Sequence, residues 1–73
     1  MQREPKTMQI QLNGESREVG ETRSLEELLA ELGLPLATLL VEHNGDALRR
    51  EEWKGRNLAE GDRVEVIRIV AGG

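Results

Sequence analysis

From Met8 the chain alternates, with Met8, Ile10 and Leu12 apolar and Gln9 and Gln11 polar. A period of two belongs to a strand with one buried face. Asn13-Gly14 follows, and both residue types tolerate the positive φ that a type I′ turn requires. Residues 15–19 therefore return as a second strand. A two-residue turn sets Val19 opposite Met8 on the inner face and Arg17 opposite Ile10, so the tip of this hairpin leaves the core. The period then changes. Leu25, Leu28, Leu29 and Leu32 follow i, i+3, i+4, i+7 spacing, a single helical stripe. Ser24 and Glu27 form a capping box at its start, and the early glutamates suit the positive end of the helix dipole. Gly33 is placed to close the helix and Pro35 prevents its resumption. The helix is short, about residues 25–32.

Residues 39–43 read as a third strand. Asn44-Gly45 is a second turn, and residues 46–48 form a short fourth strand. Residues 49–57 are charged and irregular, with Trp53 as their one large apolar anchor. Glu60-Gly61-Asp62 is a tight turn, and residues 63–70 form a last strand rich in β-branched side chains. One helix cannot cover both faces of such a sheet, so the expected class is α+β, with the helix across one face. The expected core is Met8, Ile10, Leu12, Val19, Leu25, Leu28, Leu29, Leu32, Val41, Val64 and Val66. Residues 1–7 are polar, contain Pro5 and show no periodicity. They are expected to be a disordered, dispensable extension of a domain spanning 8–73.

Composition narrows the possibilities. Seventy-three residues allow one domain. There is no cysteine, hence no disulfide, thiolate or cysteine metal site. Ten basic against fourteen acidic residues give a formal charge of −4. Clustered cations are what phosphate neutralisation demands, so nucleic acid is an unsuitable partner and a basic protein a better one. No apolar run approaches a membrane span, and the first residues lack the apolar stretch of a signal peptide. The expectation is a cytoplasmic protein, monomeric when free.

Catalytic groups are scarce. His43, the single histidine, is too isolated to serve as a metal ligand and is read as a structural or surface residue at a strand end. The adjacent carboxylates Glu26-Glu27 and Glu51-Glu52 read as solvated surface. No metal site, phosphate loop or catalytic set can be assembled. The end of the chain remains. Two terminal glycines have a chance probability of roughly 0.5% at average glycine usage. Here Gly72-Gly73 follow a strongly apolar strand and offer a thin carboxylate that could enter a channel closed to any side chain. If Val64 and Val66 point inward, Glu65, Ile67 and Ile69 point outward. Ile67 and Ile69 would then form an apolar docking patch just before the tail.

From Met8 to the end, the chain resembles the ThiS family, the ubiquitin-like β-grasp sulfur carriers of thiamine (thiazole) biosynthesis. MQIQLNGE, SLEELLAELG, VEHNGDALRREEW and EGDRVEVIRIVAGG carry the likeness. Its most specific part is NG-x-x-x-x-R-x-x-W, here Asn44, Gly45, Arg50 and Trp53. Many relatives have proline where this chain has Arg49. The resemblance implies parallel first and last strands at the sheet centre. It also implies that Gly73 is adenylated and converted to a thiocarboxylate, with Gly72 its slim neighbour. The chain would be a co-substrate rather than an enzyme and would bind no cofactor itself. ATP would be used by an adenylating enzyme (ThiF-like). A sulfur-donor enzyme and a thiazole synthase (ThiG-like) would be the other partners. A carrier for molybdopterin synthesis or tRNA thiolation, or a ubiquitin-like modifier, would share the chemistry of the tail.

Overall fold

The computed structural model describes residues 6–20 and 23–69. Five strands and one α-helix follow in the order β1 (Thr7–Leu12), β2 (Glu15–Gly20), α1 (Leu25–Glu31), β3 (Leu39–His43), β4 (Asp46–Leu48) and β5 (Arg63–Arg68). Short 3₁₀ turns, Leu36–Thr38 and Arg50–Glu52, precede β3 and follow β4. The sheet order is β2-β1-β5-β3-β4, with β1 and β5 parallel and the other pairs antiparallel. The expected central position of the last strand and its parallel pairing with the first are therefore both present. The first hairpin has the expected register, Met8 opposite Val19 and Ile10 opposite Arg17. Thr7, assigned from the sequence to the extension 1–7, pairs with Gly20, so β1 begins one residue before Met8. Residues 1–5 lie outside the described residues.

The helix is built as its caps dictate. Ser24 Oγ accepts from the Glu27 amide at 3.1 Å, and Glu27 Oε1 accepts from the Ser24 amide at 3.2 Å. Leu32 is the C-cap, and Gly33 follows at φ +70°. Leu25, Leu28 and Leu29 are fully buried on the sheet, with Met8, Ile10, Val19, Val41 and Val64 beneath them. Leu39, Leu48, Trp53 and Leu58 join the same core. Leu12, Leu32 and Val66, expected inside, are only half-buried and pack around the rim. Each stands at an end, where β1 turns, where the helix stops, or where β5 runs past its neighbour. The segment after β4 is pinned by Trp53, and by Leu25 N–H to Arg56 O at 2.8 Å and Leu58 N–H to Arg23 O at 3.2 Å.

Two asparagines complete the ladder around β5. Asn13 and Asn44 each sit at φ +52° in their turns. β1 contributes only two paired positions to β5, Gln11 with Arg63 and Leu12 with Val64. The next rung runs from Asn13 N–H to Val64 O at 2.9 Å. In a parallel ladder Val66 N–H would then bond to the Asn13 main-chain carbonyl. It bonds instead to Asn13 Oδ1, at 2.8 Å. On the other side Asn44 N–H reaches Arg63 O at 2.8 Å, and Arg63 N–H returns to Asn44 Oδ1 at 2.8 Å. In both turns the side-chain carbonyl takes the place of a backbone carbonyl.

Glycine at either position would keep the turn and lose the rung. Asn13→Gly should therefore lower stability by about 1 kcal/mol, equivalent to roughly 4–8 °C in Tm for a domain of this size. Asn13→Asp, which retains the acceptor, should stay close to wild type in the same thermal melts. A Tm for Asn13→Gly equal to that of the wild type would remove the rung from the account.

Candidate functional site

Gly72 and Gly73, together with residues 70 and 71, lie outside the described residues. The described residues define the platform from which the tail leaves. Its last backbone hydrogen bond is Ile69 N–H to Thr38 O, at 2.7 Å. Thr38 is itself braced in its 3₁₀ turn, where its N–H and Oγ1 both donate to Pro35 O, at 3.0 and 2.6 Å. Gly73 is four residues beyond Ile69. Covalent geometry limits that reach to about 14 Å.

The sheet face opposite the helix is open. Period two along β5 turns Val64 and Val66 toward the helix, and Glu65 and Ile67 away from it. Ile67 is 55% and Ile69 49% exposed, as the alternation predicts, and Leu40 on β3 is 52% exposed. Leu40 lies directly opposite Ile67 across the β3–β5 pair. The apolar patch thus has three members beside the exit of the tail, where the sequence suggested two. Leu40 was hidden in the run Leu39-Leu40-Val41, in which no polar residue marks the outward position.

His43 lies at the opposite end of this strand pair, across from Val64. Five residues of strand separate Val64 from Ile69, roughly 16 Å. The imidazole is buried and bridges two charged side chains. Arg56 Nη1 lies 3.2 Å from Nδ1, and Asp62 Oδ2 lies 2.7 Å from Nε2. A guanidinium can only donate, so Nδ1 accepts, and Nε2 carries the hydrogen given to Asp62. Asp62 also receives Asn44 Nδ2 at 3.0 Å and the Ala59 amide at 2.8 Å. Every polar atom of the imidazole is thereby satisfied, and the structural role expected of His43 is the one found. The histidine has no open valence toward the tail. Among the described residues no group of His, Asp and Glu converges as a metal site, and no helix is long and apolar enough to cross a membrane.

Burial pushes the Asp62 carboxyl up, but the hydrogen bonds from Asn44, His43 and the Ala59 amide outweigh it and hold the group below its ordinary value of 3.8. A carboxylate depressed in the folded state stabilises the fold above its unfolded pKa. That contribution is lost as pH falls below about 3.8 and through the lower folded value. Wild-type stability in urea titrations should therefore fall more steeply between pH 5 and pH 2 than that of Asp62→Asn. Parallel acid limbs for the two proteins would show that Asp62 carries none of the acid sensitivity.

Comparison with known proteins gives a consistent result. A model described as the ThiS family matches residues 10–73. The chain is 39% identical over 64 residues to the sulfur carrier protein ThiS of Thermus thermophilus, a match that spans 88% of this chain and 98% of that protein. It is also 29% identical over 66 residues to a thiazole synthase of Paramagnetospirillum magneticum. That match takes in 90% of this chain and only 20% of the synthase, so the chain spans about a fifth of that relative. The crystal structure of the thiamine biosynthesis protein (ThiS) of Geobacter metallireducens superposes with a TM-score of 0.76 at 33% identity, covering 90% of this chain and 100% of that one. The solution structure of a thiamine biosynthesis protein of the same organism gives a TM-score of 0.75, with coverage of 90% and 88%.

Proposed function

The chain belongs to the ThiS family, the small sulfur carriers of thiamine biosynthesis with a ubiquitin-like β-grasp fold, and we propose that its sulfur is carried on the terminal carboxylate of Gly73. The observation behind the proposal is the family match, which runs through residue 73 and so includes both terminal glycines. A carboxylate is a poor electrophile until one of its oxygens becomes a leaving group. One oxygen of Gly73 attacks the α-phosphate of ATP, pyrophosphate departs, and an acyl adenylate results. A sulfur nucleophile attacks the acyl carbon and AMP leaves with the oxygen, so that the thiocarboxylate has exchanged one oxygen for sulfur. The sulfur then passes to the forming thiazole.

The chain acts here as a co-substrate. A ThiF-like adenylating enzyme supplies the ATP chemistry, a sulfur-donor enzyme the sulfur, and a ThiG-like thiazole synthase the acceptor. The likeness to a fifth of a thiazole synthase supports the last of these, since it joins a similar domain to that activity in one polypeptide. The ATP consumed by the partner supports a cytoplasmic carrier. Gly72 keeps the tail narrow where it enters a partner's active site. Ile67 and Ile69 dock the body of the carrier, so that the short tail reaches the reacting groups.

Incubated with the adenylating enzyme, ATP and a sulfur source, the wild type should gain the mass of one oxygen-for-sulfur exchange. The Gly73 deletion should fold and gain nothing, and Gly72→Ala should react far more slowly. Equal sulfur incorporation by the deletion variant would end the proposal. Ile67→Asp should melt like the wild type and bind the partner enzymes more weakly by roughly tenfold or more, as expected when a charge enters an apolar contact. Unchanged affinity would exclude this patch from docking.

A further inference from the structure

The open sheet face holds a second feature beside its apolar patch. Glu42 and Glu65 are directly opposite each other on β3 and β5, one outward row below the Leu40–Ile67 pair. Both are exposed. Like charges facing each other across two strands repel, because their Cβ atoms are only about 5 Å apart. Among the described residues neither carboxylate takes part in an ion pair; those present join Arg23 to Glu31, His43 to Asp62 and Arg56 to Asp46. The fold thus leaves two unneutralised carboxylates side by side, in contact range of the exposed Leu40–Ile67 pair and on the side of that pair away from the tail.

We propose that this row is a binding site for a basic side chain of the partner that adenylates the tail. An arginine would lie between Glu42 and Glu65, and an adjoining apolar side chain would rest on Leu40 and Ile67. This inference rests on the docking role given above to the open face, and it adds the chemistry of the occupant. Charge complementarity identifies that occupant. The carrier has a net charge of −4 and presents a further carboxylate at the reacting end. The adenylating partner must bring that carboxylate up to the phosphates of ATP, so it has to supply cations along the approach. A planar guanidinium with five donors can bond to two carboxylates at once. The repulsion tolerated in the free carrier would be relieved in the complex.

The double variant Glu42→Gln, Glu65→Gln separates this role from a purely structural one. Removal of the repulsion should raise Tm by about 2–5 °C. In ATP–pyrophosphate exchange with the adenylating enzyme, KM for the carrier should rise roughly tenfold. Its kcat should be unchanged, and KM should lose most of its dependence on salt. A KM and salt dependence equal to those of the wild type would overturn the proposal while leaving Gly73 chemistry intact. No exchange with the wild type would overturn the Gly73 reading, and this inference with it.

Discussion

The hydrogen bonding of β5 is the constraint on which the remaining structure depends. A central strand must have both edges satisfied, yet β1 turns away after two paired positions and β3 ends at His43. Both turns need a left-handed residue at their first position, and that conformation swings the main-chain carbonyl away from β5. Asparagine meets both demands, because it tolerates positive φ and carries a second carbonyl on its side chain. At position 44 the amide end of the side chain also donates to Asp62. The turn, the central strand and the buried His43–Asp62 contact are therefore coupled through one side chain.

Much of this architecture could be read from the chain, since most of its signals are local. Alternation from Met8, the leucine stripe from Leu25 and the capping box at Ser24 each act within a few residues. The long-range contacts were not visible. His43 is buried because Arg56 and Asp62, 13 and 19 residues onward, converge on it. The burial of Leu58 likewise depends on the bridge between Ser24 and Asn57. The asparagines were legible as turn formers but not as rungs, which required the register of β5.

The same contrast holds for the candidate site. Ile67 and Ile69 follow from period two alone. Leu40 and the opposed pair Glu42 and Glu65 become neighbours only when β3 is paired with β5. Three residues of the motif that carried the resemblance have a structural explanation. Asn44 and Gly45 make the turn that clamps β5, and Trp53 fills the core behind it. Arg49 donates its main-chain amide, a group that proline would lack, to Glu52 Oε1 at 2.8 Å.

Trp53 is the only aromatic residue of the chain, with no tyrosine or phenylalanine beside it. It is 2% exposed in the core between helix and sheet, and its indole Nε1 has no hydrogen-bond partner among the described residues. The fluorescence of the protein therefore comes from one buried indole. Its emission should be blue-shifted in the folded state and shift red on unfolding, free of any tyrosine background. Because the indole is on the covered side of the sheet, a partner seated on the open face should leave its surroundings unchanged. The molecule thus carries a built-in optical reporter of its own integrity that is silent to its encounters.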